Sequence, residues 1–320
     1  MWVFLLKNMF RIQIAQVGKT PHQSQIATIG NFDGLHLGHV ELLEQMTQQA
    51  MADSAWRVLI TFDILPHEYF ADKQGMLRAP RIGLLRDKIA ILKQHNLVDE
   101  VIILHFNDSI ARLSPYQFIR QILQERLDIH EMIVGHDFRF GHLAKGTIHD
   151  LRNNGIVTRE FAELRHNQVR VSSSLIRELA AEQNIALINR YLGRNIQYTS
   201  RVVYGNQLGR KYGVPTINLN LRKTRPVLWG IYTGYVYIEG VRYNGVISIG
   251  KNPTVSEGKV YKVEAHLLDV DLHLYNKIAC VEILHYLRAE IKFEDLDSLF
   301  KQIHKDMSDA REFFSAREQL

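Results

Sequence analysis

The periodicity of the chain changes once, and that change restricts its fold more than any other feature. Between residues 25 and 183, short apolar runs alternate with amphipathic stretches. The runs 25–30 (QIATIG), 57–62 (RVLITF), 100–104 (EVIIL) and 131–135 (EMIVG) have the length and β-branched content of buried strands. Phe10-Arg11-Ile12 reads as the opening of another. Residues 40–51 put Leu42, Leu43 and Met46 at helical spacing, and 82–94 do so with Leu84, Leu85, Ile89 and Leu92. Ser114-Pro115 opens a helix bearing Phe118, Ile119 and Ile122, the serine as cap and the proline at the first helical position. Such alternation implies a mostly parallel sheet with helices on both faces.

From Gln197 the chain reads as short strands at regular spacing: 198–204, 214–221, 231–238, 241–249, 259–268 and 277–285. Glu239-Gly240, Asn252-Pro253 and Glu257-Gly258 mark turns between them. Six such strands predict a closed antiparallel barrel. Residues 294–316 form one helix, whose apolar stripe (Leu296, Leu299, Phe300, Ile303, Met307, Ala310, Phe314) is expected to dock on that barrel. The expected division is therefore an α/β domain over 1–184 and a β-barrel domain with a terminal helix over 185–320, in keeping with a length of 320 residues.

Composition removes several classes. Cys280 is the single cysteine, which excludes a disulfide framework and a cysteine-based zinc cage and favours a reducing, cytoplasmic setting. No run approaches the ~18 apolar residues of a membrane helix, and Met1–Leu6 is too short and lacks the basic flank of a signal peptide. Thirty-nine basic against 34 acidic residues leave a net charge of +5, spread along the chain. This suits an anionic small molecule as well as nucleic acid. A nucleic-acid surface would show a basic stripe with interleaved aromatics, and none is visible.

The strongest local signal is Thr28-Ile29-Gly30-Asn31-Phe32-Asp33-Gly34-Leu35-His36-Leu37-Gly38-His39. A strand ends at Gly30 and a helix starts near Gly38, so backbone N–H groups and a helix dipole favour a phosphate at the junction. His36 and His39, three apart, share one face of the first turn. Gly38 removes a side chain where a ribose or base would approach. A zinc site at this pair lacks the cysteines or HExxH partner that would complete it.

The second half offers different chemistry. Gly205-Asn206-Gln207-Leu208-Gly209-Arg210-Lys211-Tyr212-Gly213 invites a phosphate-loop reading, but no Lys-Ser/Thr follows and the next segment is strand-like. Thr216 and Asn218 are two apart and share one strand face. Their hydroxyl and amide oxygens are hard ligands suited to Mg²⁺ beside a nucleotide phosphate. In 261–269, Val263, Ala265 and Leu267 face one way and Lys262, Glu264 and His266 the other, which places Glu264 to accept a hydroxyl proton.

Taken together these motifs resemble known families. The His-x-Gly-His after a strand is similar to the signature of the nucleotidyltransferase superfamily, and Val171-Ser172-Ser173-Ser174-Leu175-Ile176-Arg177 resembles its second, serine-rich motif. The segment Gly135-His136-Asp137-Phe138-Arg139-Phe140-Gly141 resembles one that prokaryotic FAD synthetases use near flavin and nucleotide. Gly-x-x-x-Gly-Arg followed by Pro-Thr-x-Asn and Val-Glu-x-His-Leu-Leu-Asp resembles the riboflavin kinase signature. From about Ile26 to the last helix the chain thus looks like a prokaryotic bifunctional riboflavin kinase/FMN adenylyltransferase.

The resemblance implies a Rossmann-like nucleotidyltransferase domain and a kinase barrel, with Mg²⁺·ATP, riboflavin and FMN as ligands, and FMN and FAD as substrate and product rather than prosthetic groups. It implies catalytic roles for Glu264, His36, His39 and Arg177. Nucleotide would meet Gly30, Phe32, Asp33, Gly38, Ser172, Ser173, Gly205, Gly209, Arg210 and Gly213, flavin would meet Asp137, Phe138, Arg139 and Arg288, and Thr216 and Asn218 would hold the metal. Three departures stand out: Ile217 where the family tends to alanine, Asn276 where it tends to glycine, and Ile64-Leu65-Pro66 where Pro-His-Pro is usual. The last keeps open a kinase-only alternative.

Overall fold

The computed structural model describes residues 9–14, 23–161, 165–166, 169–204, 214–251, 261–270 and 274–318. Among these, two compact units form. One takes residues up to Ala79 together with Lys88–Ser172; the other takes Pro80–Asp87 together with Ser173 onward. The change of period at 185–198 marks where the barrel strands begin, whereas the second unit already takes in the helix at Ser173.

In the first unit every residue of β2 (Gln25–Ile29) is buried, as a strand covered on both faces requires. It lies inside a six-stranded sheet ordered β1-β4-β3-β2-β5-β6, with β1 (Met9–Gln13), β3 (Trp56–Phe62), β4 (Glu100–Leu104), β5 (Glu131–Gly135) and β6 (Val157–Phe161). All neighbours are parallel except β1, which closes one edge antiparallel to β4; a short antiparallel pair, β7 (Arg165–His166) and β8 (Val169–Arg170), follows β6. Helix α1 (Leu37–Asp53) crosses β2, β3 and β5, burying Leu42, Leu43, Met46 and Ala50. Ala27 and Ile29 of β2 point into a cluster with Val58, Ile60, Phe118, Ile119, Ile122 and Leu123. Ser114 and Gln117 cap the start of that covering helix reciprocally, at 3.2 and 2.9 Å. Beyond Gln117 it winds as a π-helix over Phe118–Gln124. Helix α2 (Pro66–Lys73) starts on a proline, and the buried Glu68 carboxylate accepts the Leu65 N–H at 3.1 Å.

In the second unit, β9 (Ile196–Val203), β10 (Thr216–Arg222), β11 (Gly230–Ile238), β12 (Val241–Lys251), β13 (Tyr261–Leu267) and β14 (Ile278–Arg288) close into a barrel ordered β10-β13-β12-β11-β14-β9, antiparallel throughout. Closure needs bends, and β11 bends against β14 through register shifts on either side of Tyr232 and Thr233. Gly234 adjoins the second of these, where an added Cβ would lie 1.9 Å from the Glu282 carbonyl. Ile176, Leu179 and Ala180, within Ser173–Ala181, join the barrel core, as do Ile185, Ile188 and Leu192 of the next helix, Ile185–Leu192. The last helix, Leu296–Glu318, docks on the barrel as expected: Met307, Ala310 and Phe314 pack with Val214, Leu268 and Leu284, while Leu296 stays exposed. The segment Pro80–Asp87 is laced in by Arg81, whose N–H donates to the Arg225 carbonyl at 2.8 Å and whose carbonyl accepts from Val227 at 2.9 Å.

Asn276 has a φ of 64°. A left-handed backbone explains a family glycine there, and asparagine is among the few other residues that tolerate it.

Candidate active sites

The junction between β2 and α1 is built tightly. Asp33 and His36 are buried, and His36 stands in extended conformation at the helix cap. Its ring stacks on that of His39, with centroids 3.6 Å apart and planes inclined by 19°; Phe32 lies against His39 at 5.0 Å. Phe32 and Leu35 both hold positive φ, 44° and 43°, a strained conformation for such residues that functional loops often retain. The space at Gly38 is already taken: a Cβ there would sit 3.0 Å from the Val171 carbonyl and 3.2 Å from His36 Nδ1. So the glycine lets the start of the serine-rich segment approach the histidine motif. Ser172 belongs to this unit. Ser173 and Arg177 belong to the second unit, where Arg177 Nε donates to the Pro80 carbonyl at 2.8 Å.

Beside the junction, a cleft of about 550 Å³ opens at the carboxyl ends of the strands, where open α/β sheets bind ligands. Gly30 and Asn31 line one side; Phe62, Phe70, Phe106, Phe118, Phe138 and Phe140 supply aromatic walls. Phe138 and Phe140 lie nearly parallel, centroids 5.4 Å apart. Of the expected flavin residues, Phe138 and Arg139 line this cleft. Asp137 does not; it takes the Arg170 guanidinium at 2.7 Å, which holds its carboxyl below the usual range although partial burial acts to raise it. The phenylalanines come from five separate stretches, so local sequence reading missed four of them. The signal was an aromatic residue at or just past a strand end, in Phe62 and Phe106. Leu65 is buried among the apolar side chains behind this cleft.

The barrel carries a second cleft, of about 630 Å³. Thr216, Asn218, Ser248, Lys262, Glu264 and His266 line it, with Arg288, Glu290 and an apolar side that includes Phe300, Ile303 and Met307 of the last helix. The strand alternation places these groups. Asn218 pairs with Glu264 and Thr216 with His266 across β10–β13, and Ser248 pairs with Glu264 across β12–β13. Lys262 Nζ donates to Glu264 Oε1 at 2.8 Å. Glu290 is held above the ordinary carboxylate range by partial burial, with Lys262 opposing and Glu264 adding to it. Burial lowers the His266 imidazole, whose Nδ1 bonds the Pro215 carbonyl at 2.9 Å. Arg288 is clamped by the buried Asp306 through two contacts of 2.8 and 2.6 Å, tying β14 to the last helix. Lys262, Glu290 and Asp306 were not singled out from sequence; alternation at 262–266 was the available signal for the first. Gly205, Gly209, Arg210 and Gly213 lie outside the described residues.

Thr216 and Asn218 suit Mg²⁺. They are neutral oxygen donors on one face of one strand, and both line the cleft. Among the described residues, no three His, Cys, Asp or Glu side chains converge as a metal-binding set, and no helix is long and apolar enough to cross a membrane.

Known proteins resemble this chain over most of its length. A family model described as FAD synthetase matches residues 18–175, and one described as riboflavin kinase matches 192–314. The bifunctional riboflavin kinase/FMN adenylyltransferase of Haemophilus influenzae is 35% identical over 294 residues, covering 90% of this chain and 94% of that protein. That of Escherichia coli K12 is 35% identical over 309 residues, with 94% and 96% covered. A crystal structure of a protein named macrolide-efflux protein, from Streptococcus pneumoniae, superposes with a TM-score of 0.71 at 26% identity over 93% of this chain and 97% of its own. Its name points elsewhere, but the higher identity and the two matched domains decide the assignment, and they favour two activities over a kinase alone. The chain belongs to the bifunctional riboflavin kinase/FMN adenylyltransferase family.

Proposed function

We propose that each cleft carries one of two successive ATP-dependent transfers, riboflavin to FMN in the barrel and FMN to FAD in the α/β domain. What carries this reading is the pair of chemically distinct clefts. One is aromatic beside a stacked histidine pair at a helix start; the other is polar, with Glu264 across the ladder from Asn218.

In the barrel, Glu264 Oε2 accepts the proton of the terminal ribityl hydroxyl as its oxygen attacks the γ-phosphate of ATP, and ADP leaves. Lys262, on Oε1, keeps the carboxylate oriented. Thr216 and Asn218 would hold the Mg²⁺ that accompanies ATP, which offsets charge on the phosphates. Arg288 contacts flavin from its Asp306 clamp. Gly205, Gly209, Arg210 and Gly213 keep the assignment to ATP phosphates that sequence resemblance supports.

In the α/β domain the flavin ring stacks in the aromatic cleft along Phe138, and Arg139 meets its phosphate end. That phosphate, already an anion, attacks the α-phosphate of ATP, and pyrophosphate leaves. His36, His39 and the N–H groups of the Gly30–Asp33 loop and helix start receive the developing charge, with Gly38 and Ser172 bordering the nucleotide. For Ser173 and Arg177 as pyrophosphate contacts, and for Asp137 near the flavin, the support is resemblance. We assign these activities to 1–184 and 185–320, in a cytoplasmic protein whose ligands are small molecules.

The test is chromatography of flavins after incubation with riboflavin, ATP and Mg²⁺. Wild type accumulates FMN and then FAD. His36→Ala with His39→Ala stops at FMN; Glu264→Gln makes no FMN from riboflavin yet makes FAD from supplied FMN, each loss ~10²–10³-fold. Equal damage to both steps by either variant refutes the assignment.

A further inference from the structure

Lys88 has no part in the chemistry above, yet it is 7% exposed. Lysines normally keep the ammonium in water, and burying one is unfavourable unless it gains specific partners. This one lies on the inward face of Leu85–Gln94, beside Ile91 and Leu92. Its Nζ donates to the Asn31 carbonyl at 2.6 Å and to Thr61 Oγ1 at 2.9 Å. Thr61 is fully buried, and its hydroxyl lies 3.4 Å from the same carbonyl. Helix, β3 and the loop after β2 therefore converge on one peptide group.

That peptide joins Asn31 to Phe32, in the middle of the loop that ends β2. Among the described residues no peptide is cis. In a trans peptide the carbonyl and the following N–H point opposite ways, so drawing the Asn31 carbonyl to Lys88 turns the Phe32 N–H away from the lysine. The left-handed φ of Phe32 comes next, an unfavourable conformation that needs outside support. We infer that Lys88 is a positioning residue for adenylyl transfer: through Asn31 and Thr61 it holds the Gly30–Asp33 loop in the one backbone geometry that meets the reacting phosphate. It does not touch substrate.

This inference rests on the adenylyltransferase reading of the first unit. The experiment uses the full chain as wild type, Lys88→Met, Thr61→Val and Thr61→Ser, with kcat and KM for FAD formation from FMN and ATP, and FMN formation from riboflavin as internal control. Loss of loop geometry should act on the chemical step. Lys88→Met is expected to lower kcat about 10²-fold, with both KM values within about threefold and kinase activity unchanged. Thr61→Val should lower kcat about tenfold, and Thr61→Ser, which keeps the hydroxyl, should restore it. A wild-type kcat in Lys88→Met, or a loss confined to KM, overturns the inference. If Lys88→Met does not fold, the threonine pair decides: equal kcat in the valine and serine variants overturns it. Absence of FAD formation by wild type overturns the adenylyltransferase reading itself, and the inference with it.

Discussion

Asp87 offers a sharp test of how the second unit is held together. Its side chain is 2% exposed. It accepts the Leu84 N–H at 3.0 Å, lies 3.5 Å from Gln197 Nε2 and bonds Thr199. Burial nevertheless outweighs these bonds and pushes its carboxyl from 3.8 up to about 6. Such a difference corresponds to ~3 kcal/mol between the two protonation states. The folded unit therefore binds the proton more tightly than the unfolded chain. Below about pH 4 both states are protonated and the penalty is absent; above about pH 6 both are ionised and it is complete. Stability from this group falls as pH rises through that window, the reverse of an ordinary ion-paired aspartate. Urea denaturation of the full chain from pH 4 to 7.5, read unit by unit by pulsed hydrogen exchange, measures it. Relative to Asp87→Asn, the wild-type second unit should lose ~2–3 kcal/mol between pH 4 and pH 7, while the first unit shows no such difference. Parallel pH curves for the two proteins would refute the assignment of this penalty to Asp87.

Two further outcomes are expected. Leu65→His, which restores the residue usual in the family, should change the FAD-forming rate by less than about tenfold, ~1.4 kcal/mol of barrier. It should also lower thermal stability by ~2 kcal/mol, because the imidazole replaces a side chain buried in the apolar cluster; the flavin assay and a thermal melt check both. A fragment beginning at Asn184 should be less stable than one beginning at Ser173, since it lacks Ile176 and Leu179, whose burial contributes ~1.5–3 kcal/mol each. Equal melting temperatures of the two fragments would show that this helix adds nothing to the barrel.

Much of this architecture is readable along the chain because its strands are locally complete signals. QIATI and WRVLITF are buried on both faces and need no context, and 261–267 alternates so cleanly that spacing alone puts Lys262, Glu264 and His266 on one strand face. The strand Val157–Phe161 gives no such signal because it is an edge: Val157, Arg159 and Glu160 are exposed, and only Thr158 and Phe161 are buried. The stacked histidines followed from helical spacing. The aromatic cleft did not, since its walls meet only through tertiary folding. Lys88 did leave a trace, a charged residue inside the apolar face formed by Leu85 and Leu92, but that trace acquires meaning only when Asn31 and Thr61 arrive beside it. The Arg288–Asp306 clamp joins a strand to a helix and has no local signature.

The brief excursion of Pro80–Asp87 into the second unit sets an order of events during synthesis. These residues leave the ribosome when the barrel that receives them is still untranslated, about 140 positions upstream of Arg225 and Val227. At ~5–20 residues per second that is a wait of roughly seven to thirty seconds. Throughout it, Ile82 has no core to enter and the Arg81 backbone must bond water in place of Arg225 and Val227. The nascent α/β domain must therefore fold with this segment as an undocked loop, and the barrel unit is completed only by residues translated long before its own strands. Exchange of the barrel for an unrelated one by simple gene fusion would strand this loop in every molecule made.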